Sequence, residues 1–287
     1  MRRLLTALAL SLMLHEAAAV SVHSFRGGDA ADKEAYSSCP YKPFHKYPED
    51  KGFLCKLIVL HTPQGNLPFL LQGDVVDGKW GASLGPWLSP GGANWYSNGG
   101  VAIDVPGRSG ADARLTELDD GFKVSWVYQD LAANVEVSAL DGNKVFVQAY
   151  LEAVSPPPSF TLSLRAYPSS FGGDYESGKR LRQREGLTKL RTLRLADSPF
   201  VLGKDERWAL LYDKYFDYAE NRGGGPCAFI FNPKQTLDCV VTVGNYACEA
   251  KLRCPGSARA DVVLLDFKNW GNAAAANYMG GLELSPP

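Results

Sequence analysis

A two-residue alternation near the centre of the chain constrains the fold more than any other feature of this sequence. Apolar residues occupy every second position of one run, Phe122, Val124, Trp126 and Tyr128, and the other face of the run carries Lys123, Ser125 and Gln129. This is the period of a β-strand, whose successive side chains point to opposite faces. The run is therefore predicted to be a strand with one buried face.

Turn signals connect this strand to its neighbours. Asp119-Asp120-Gly121 precedes it, and Asp141-Gly142-Asn143 separates two further alternating runs at 135–139 and 145–151. Short segments of these residue types join antiparallel strands. We therefore expect an antiparallel meander over residues 113–153.

The same pattern extends over most of the chain and predicts an all-β fold. From about residue 54 onward, short β-branched and aromatic runs alternate with Gly, Pro, Asn and Asp, which is typical of an antiparallel β-sandwich or supersandwich. The triple proline at 156–158 precedes an alternating run at 160–165, so it joins two strands or marks a crossing between sheets. No internal repeat is present.

Three segments near the C-terminus have weaker patterns. Residues 205–220 fit either a helix or a strand, and we favour a strand. The apolar run at 262–265 predicts a buried strand. Asn272, before four alanines, is a candidate cap for a short peripheral helix.

The N-terminus has the features of an export signal. Arg2 and Arg3 precede an apolar stretch at 4–14, and a small-residue cleavage site follows at 17–19. We expect three regions: a signal peptide at 1–19, an irregular N-terminal arm at 20–50 and a single β-sandwich domain at 51–287. The mature protein is expected to be secreted, either periplasmic or extracellular, without membrane insertion, because the apolar stretch is shorter than the roughly 20 residues that span a bilayer.

The cysteines support the same compartment. An even number follows the signal, as a disulfide framework requires: Cys39, Cys55, Cys227, Cys239, Cys248 and Cys254. Cys39 and Cys55 are expected to pair. Among the four late cysteines three connectivities remain open, and we favour Cys227 with Cys239 because Asn232-Pro233 is a candidate hairpin bend between them; Cys248 and Cys254 would then pair. Zinc is not expected, because the sequence has no Cys-x-x-Cys pair.

A Trp- and Asn-rich segment is the candidate ligand site. Residues 80–100 interleave aromatic rings with glycines and amides, and flat apolar rings edged by polar groups match the surface of a sugar. The alternative is that the rings close the ends of the sandwich as core residues. The candidate ligand-binding residues are Trp87, Asn94, Trp95, Tyr96 and Asn98, together with Asp104 and Arg165.

Charge and motifs narrow the function. With 30 basic and 31 acidic residues the chain has no net field that favours nucleic acid. A basic run at 179–194 is either a site for acidic polysaccharide or a solvated face. Hydrolase, nucleotide-binding and metalloprotease motifs are absent, so no catalytic residue, metal or cofactor is assigned. Carboxylates remain available for a glycosidase-type pair: Asp104, Glu117, Glu136, Glu152, Asp213 and Asp217.

The order of these features resembles exported proteins with a galactose-mutarotase-like β-supersandwich. The resemblance rests on the loop at 94–100, the central meander and the segment 208–213. It implies a sugar-facing sandwich. The epimerases of that family use a His with a Glu, but no His follows His61, so no catalytic residue is carried over. We therefore expect a non-catalytic carbohydrate-binding or cell-surface protein whose partner is a poly- or oligosaccharide. The competing hypothesis is a carbohydrate-active enzyme, lyase-like or epimerase-like. The sequence leaves the oligomeric state undetermined.

Overall fold

The computed structural model describes residues 19–40, 53–62, 65–74, 80–84, 87–89, 92–95, 100–108, 111–140, 144–168, 183–214, 225–245, 247–267 and 270–282, and the account below concerns these. One group of strands forms an eleven-stranded sheet: β1 (Ala19–Arg26), β2 (Phe53–Thr62), β3 (Gly65–Asp74), β4 (Trp80–Leu84), β5 (Trp87–Ser89), β6 (Gly92–Trp95), β7 (Val101–Asp104), β12 (Ser159–Ala166), β15 (Phe200–Val201), β18 (Asp238–Val243) and β19 (Cys248–Pro255).

The other strands form a nine-stranded sheet: β8 (Asp112–Leu118), β9 (Gly121–Val127), β10 (Leu131–Ala139), β11 (Lys144–Ala153), β13 (Arg184–Leu187), β14 (Thr192–Arg194), β16 (Trp208–Asp213), β17 (Cys227–Phe231) and β20 (Arg259–Asp266). Two helices accompany the sheets, α1 (Ala30–Ser38) and α2 (Asn272–Gly280). The predicted all-β class is confirmed, since neighbouring strands pair antiparallel in both sheets.

The order of strands in each sheet differs from their order along the chain. The eleven-stranded sheet runs β1-β2-β3-β4-β7-β12-β19-β18-β15, with β6 attached to β12 and β5 to β6. The nine-stranded sheet runs β14-β13-β16-β17-β20-β11-β10-β9-β8. Two late strands therefore lie beside central ones, β20 beside β11 and β19 beside β12, and the C-terminal third of the chain completes the centre of both sheets.

The predicted meander is present as β8 to β11. Leu118 pairs with Gly121, so β8 and β9 are joined by the expected tight turn. Glycine is required at 121 because a Cβ there would lie 1.8 Å from the carbonyl oxygen of Val137. The predicted turn at 141–143 lies outside the described residues.

The triple proline marks a crossing between the sheets. β11 belongs to the nine-stranded sheet and β12 to the eleven-stranded sheet, so the chain changes layer between Ala153 and Ser159. Gly256 packs directly against this crossing, since a Cβ on it would lie 1.7 Å from the carbonyl oxygen of Pro157. Proline suits such a connection because it cannot donate a backbone hydrogen bond to a sheet.

A continuous apolar core lies between the two sheets. Every second residue of the meander contributes to it, and Trp126 is completely buried. Phe69 on β3 meets Phe122 on β9 with ring centroids 5.2 Å apart and edge-to-face, so the two sheets pack directly. The alternation seen in the sequence thus separates a core face from an outer face on each strand.

The N-terminal arm departs from the irregular segment that the sequence suggested for residues 20–50. Residues 19–26 form edge strand β1, which pairs with β2 along its whole length. The α1 helix follows, with the side chain of Asp29 accepting hydrogen bonds from the backbone of Ala31 and Asp32. Tyr36 packs edge-to-face on Phe25 at 5.2 Å. The sequence pattern is weak here because β1 alternates Val with Ser and His, and the strand is stabilised by pairing with β2 and by the contact between Phe25 and Tyr36. Residues 41–50 lie outside the described residues.

The structure also shows the conformation of the three segments near the C-terminus whose sequence patterns are weaker. Within 205–220, residues 208–213 form β16, as favoured, and residues 215–220 lie outside the described residues. The buried run at 262–265 lies in β20, and a short helix, α2, is present. However, Gly271 is its N-cap, and the Asn272 side chain donates instead to the carbonyl oxygen of Asp213 at 2.6 Å. No helix in the described part of the chain is long and apolar enough to cross a membrane.

The expected hairpin bend at Asn232-Pro233 is instead a second crossing between the sheets. β17 belongs to the nine-stranded sheet and β18 to the eleven-stranded sheet, and a short 3₁₀ turn at Pro233–Gln235 connects them. Cys227 and Cys239 therefore do not lie opposite each other in a hairpin. The favoured pairing of these two cysteines loses its structural basis.

Candidate functional site

The outer face of the nine-stranded sheet has an ordered polar surface, which we call the polar face. Alternate residues of four adjacent strands, β9, β10, β11 and β20, point away from the core. The strand register aligns them in two rows: Lys123, Glu136, Gln148 and Asp261 in the first, and Ser125, Asn134, Tyr150 and Arg259 in the second. Three interstrand spacings make each row about 14 Å long.

Tyr150 occupies the centre of the polar face. Its hydroxyl donates a hydrogen bond to Oε1 of Glu136 at 2.6 Å, and the guanidinium of Arg259 lies 4.0 Å from the centre of its ring. The tyrosine is only 5% exposed. Burial raises the pKa of Tyr150, and the hydrogen bond to Glu136, with the nearby charge of Glu152, raises it further. Tyr150 is therefore held as a neutral hydrogen-bond donor.

A chain of hydrogen bonds runs from Arg259 across the polar face. Nη1 of Arg259 donates to Oε1 of Gln148 at 2.6 Å, and Nε2 of Gln148 donates to Oδ1 of Asp261 at 2.7 Å. Gln235, from the turn before β18, donates to Oδ2 of the same aspartate at 2.7 Å and accepts from its backbone N–H at 3.1 Å. Each amide is thus fixed in orientation by two partners.

Asn134 is the fully buried member of the second row. It accepts a hydrogen bond from the Ser125 hydroxyl at 2.6 Å, and it is the register partner of Tyr150. A buried amide on the outer face of a sheet requires partners and cover from its neighbours. The tyrosine and its surroundings are therefore held in one geometry.

The α2 helix packs on the outer face of the same sheet, over β16, β17 and the end of β20. Ala275 and Met279 pack with Trp208, Leu210 and Phe267 in a separate apolar cluster. Part of the outer surface is therefore apolar and covered by the helix, whereas on the polar face Tyr150 and Asn134 are buried and Arg259 lies over the tyrosine ring. Arg259 and Glu152 are exposed there.

The candidate residues of the Trp-rich segment lie on the other sheet. Trp87 on β5 is paired with Trp95 on β6, and Trp95 is paired with Ala166 on β12, next to Arg165. Asn94 also belongs to β6. For these strands only the backbone is described, and Tyr96 and Asn98 lie outside the described residues.

Arg165 and Asp104 do not converge. Asp104 pairs with Thr161, four residues before Arg165 on β12, which places the two about 13 Å apart along the strand. Arg165 lies over the ring of Tyr167 at 5.4 Å, whereas the charge of Asp104 contributes to a raised pKa of Tyr128 after the larger effect of burial. Among the described members of the predicted set, Trp87, Trp95 and Arg165 are therefore near one another along the backbone, and Asp104 is not.

Two of the described arginines in the basic run form hydrogen bonds and a salt bridge within the protein. Arg184 is 1% exposed and donates to the carbonyl oxygens of Asn245 at 2.6 Å and Pro168 at 3.3 Å. Arg191 forms a salt bridge with the buried carboxylate of Glu206 at 2.9 Å. These two arginines have structural roles. Lys179, Arg180 and Arg182 lie outside the described residues.

The structure brings two of the candidate carboxylates near each other and places others elsewhere in the fold. Glu136 and Glu152 both lie close to Tyr150, whereas Asp213 is buried as the register partner of Arg184. Glu117 lies on β8, and Asp217 lies outside the described residues. Sequence reasoning therefore found Glu136 but missed Tyr150, Gln148, Arg259 and Asp261. Their polar alternation was visible, but which strands lie side by side was not.

Searches for related proteins gave matches only at the level of structure. No family model matches the chain, and no curated protein matches its sequence. One similar structure is a proposed mutarotase, YeaD, from Salmonella typhimurium, with 12% identity and a TM-score of 0.40, covering 75% of this chain and 91% of that one.

Two larger proteins are also similar over part of their length. Heparan sulfate lyase HepC from Pedobacter heparinus has 9% identity and a TM-score of 0.36, over 77% of this chain and 34% of that one. A 4-alpha-glucanotransferase from Thermococcus litoralis has 8% identity and a TM-score of 0.31, over 74% and 37%. A mutarotase thus stands among the similar structures, as the sequence resemblance suggested. TM-scores of this size do not assign an activity or a ligand to this chain.

Proposed function

We propose that this protein is an exported, non-catalytic carbohydrate-binding β-sandwich and that the polar face is the surface that binds sugar. The observation that carries the proposal is the hydrogen-bonded set of Tyr150, Glu136, Arg259, Gln148 and Asp261 on adjacent strands. Sugar hydroxyls both donate and accept hydrogen bonds, so carboxylates, amides and guanidinium groups fixed side by side match them. A rigid sheet holds these groups at low entropic cost to binding.

Three of the described tyrosines are poorly suited to act as the base of a lyase. A lyase-like tyrosine that removes a proton needs a pKa near the working pH. Burial raises the pKa of Tyr128 and Tyr150, and raises that of Tyr212 to about 12. These three residues are neutral at physiological pH. The competing hypothesis, a carbohydrate-active enzyme, would need a different base.

Export is supported by the N-terminal sequence. The charged start, apolar stretch and small-residue site at 17–19 have the order of a cleavable signal. β1 begins at Ala19, so cleavage after this residue would leave the strand nearly whole. The proposed location is therefore outside the cytoplasm.

The experiment compares two surfaces with one set of variants. The mature protein is screened on a glycan array, and each hit is measured by titration calorimetry with Arg259→Ala, Tyr150→Phe and Trp95→Ala. Arg253→Ala is the matched control, because this arginine is exposed on the eleven-stranded sheet, where it pairs with Asp238. We expect Arg259→Ala to weaken binding about tenfold or more, the effect of losing one charged hydrogen bond, and Arg253→Ala to leave it unchanged.

Each other outcome counts against a specific part of the proposal. If binding is retained in Arg259→Ala and Tyr150→Phe but lost in Trp95→Ala, the sugar-binding site lies at β6 and not on the polar face. An array without hits would refute carbohydrate binding. Conversion of an oligosaccharide, seen as a mass change or as absorbance from a new double bond, would show that the protein is an enzyme and refute the non-catalytic role.

A further inference from the structure

The four late cysteines lie two at each end of the sandwich. β17 starts at Cys227 and runs to Phe231, after which the chain crosses to the other sheet and enters β18 at Asp238. Cys239 is therefore beside this crossing, whereas Cys227 is four residues, or about 13 Å, away from it along the strand. A disulfide requires Cα atoms within about 7 Å, so Cys227 and Cys239 are poorly placed to pair.

Cys254 lies at the same end as Cys239. Cys239 is the register partner of Leu252, and Cys254 is two residues further along β19 on the same, core-facing side. Such diagonal neighbours on adjacent strands lie about 7 Å apart, at the upper end of the range for a disulfide. The two thiols also interact, because the pKa of Cys239 is raised by burial and, after Asp238, by Cys254. The backbone N–H of Leu237 donates to the carbonyl oxygen of Arg253 at 2.7 Å, which fixes the two strands at this point. Both thiols are buried in the core between the sheets.

Cys248 lies at the opposite end of the same strand. β19 is extended and in continuous register with β18 from 248 to 253, so the six residues from Cys248 to Cys254 span about 20 Å. That distance excludes a bridge between these two cysteines. Cys248 is the register partner of Ala166 at the end of β12, so a cysteine that forms a disulfide with Cys248 must lie at that end of the sandwich.

Cys227 is the cysteine that occupies this end in the other sheet. Cys227 is the register partner of Asp266 on β20, and β16, which carries Asp213, lies on the other side of β17. Arg184, the register partner of Asp213, reaches across to the carbonyl oxygen of Asn245, just before β19. The ends of the two sheets that carry Cys227 and Cys248 therefore meet at Arg184. In agreement, burial raises the pKa of the Cys227 thiol, and the adjacent Asp266 and Cys248 raise it further.

Cys39 and Cys55 form a third neighbouring pair outside the main core. Cys39 ends α1, and Cys55 lies on β2 opposite Phe25. Both belong to the apolar cluster that contains Phe25 and Tyr36, through which α1 packs on the outer face of the sheet. All six cysteines are unbonded thiols in the structure, and all are buried.

We propose that the mature protein contains three disulfides, Cys39–Cys55, Cys227–Cys248 and Cys239–Cys254, and that Cys227–Cys248 links the two sheets covalently. Each bridge forms when two thiols lose two protons and two electrons to a disulfide oxidant, such as an exported thiol oxidoreductase, which is reduced to its dithiol form. Oxidation in the cell rests on the proposed export. The pairing rests on the fold alone.

Peptide mapping distinguishes all three connectivities of the late cysteines if cleavage separates Cys239 from Cys248. Trypsin cannot do so, because no Lys or Arg lies between them, but chymotrypsin cleaves after Tyr246. The exported protein is unfolded in acid, its remaining thiols are blocked, and it is digested with both enzymes without reduction. We expect linked peptides that join Cys227 to Cys248 and Cys239 to Cys254. Any other linkage would overturn the proposal.

A pair of double variants gives an independent test. Cys227→Ser with Cys248→Ser removes one complete bridge, so the protein should retain no free thiol. Cys227→Ser with Cys239→Ser removes one half of each bridge and leaves Cys248 and Cys254 too far apart to pair, so two thiols per chain should react with a thiol reagent in denaturant. The reverse result would refute the connectivity, and the wild-type map still decides if a variant fails to fold.

Failure of export and failure of the pairing are distinguishable. If the cellular protein retains its leader and all six thiols, the export proposal fails, and the purified full chain is then oxidised with glutathione disulfide and mapped in the same way. The three predicted linkages in that sample would support the pairing. Their absence would refute it.

Discussion

The salt bridge of Glu206 provides a quantitative test of how the basic run at 179–194 is used. Glu206 is only 3% exposed. Its carboxylate accepts hydrogen bonds from Nε and Nη2 of Arg191, both at 2.9 Å. It also accepts from Thr188 Oγ1 at 2.6 Å and from the backbone N–H of Gly203 at 2.8 Å. If Arg191 serves the fold through this carboxylate, Glu206→Ala should destabilise the protein strongly.

The expected loss in the free energy of unfolding follows from the burial of the two charged groups, Glu206 and Arg191. Breaking a buried ion pair costs about 3–5 kcal/mol when the remaining charge stays buried. The Arg191 side chain is 43% exposed and can be rehydrated, so we expect the lower end, about 3 kcal/mol. For a chain of this length that corresponds to a decrease in Tm of about 6–12 °C.

The assay is thermal unfolding followed by near-ultraviolet circular dichroism, with Asp112→Ala as the control. Asp112 is 3.6 Å from Arg114, and both side chains are more than half exposed, so its loss should cost less than about 1 kcal/mol. A Tm for Glu206→Ala that matches the control would refute the structural role of this salt bridge and return Arg191 to the candidates for ligand binding.

The same carboxylate predicts a dependence on pH. Burial acts to raise the pKa of Glu206, but hydrogen bonds from Arg191, Gly203 and Thr188 outweigh it and lower the pKa from 4.5. The stability contribution is therefore complete above the ordinary carboxyl pKa and is lost as the pH falls through the lower folded value. The stability difference between wild type and Glu206→Gln should shrink below about pH 4. A difference that is constant down to acid unfolding would contradict this account.

Four further predictions follow from buried positions and from the N-terminus. Trp126→Ala empties a fully buried site and should cost about 3–5 kcal/mol in denaturant unfolding. Gly256→Ala places a methyl group against the carbonyl oxygen of Pro157 and should cost about 1–3 kcal/mol, whereas wild-type stability would show that the sheet crossing can shift. Tyr212, with a pKa raised to about 12 by burial and by its hydrogen bond to Glu185, should remain mostly un-ionised at pH 11, measured as the difference between the absorbance titrations of wild type and Tyr212→Phe. N-terminal sequencing of protein from its native host should begin at Val20, and a retained Met1 would refute export.

The extent to which the sequence predicted the fold differs between its elements. The meander was predictable because hydrophobic alternation and turn residues act over a few positions, and neighbouring strands pair through short loops. The β1 strand was missed because its apolar residues are few and its stability comes from pairing with β2, which lies beyond the segment 41–50. The bend at Asn232-Pro233 was misassigned because a hairpin and a crossing between sheets have the same local signal.

The candidate site shows the same division. Glu136 is a polar position on the predicted strand at 135–139, and its outward direction follows from alternation alone. That Tyr150 and Arg259 complete the site depends on β20 lying beside β11, although more than one hundred residues separate the two side chains along the chain.

The sequence by itself determined the secondary structure class, the direction of each strand's apolar face and the features of an export signal, because these depend on residues a few positions apart. The tertiary structure alone decided which strands are neighbours, and hence which polar side chains share a face and which cysteines share an end of the sandwich. Strand order is set by packing between residues far apart in the chain, where no local pattern records the partner.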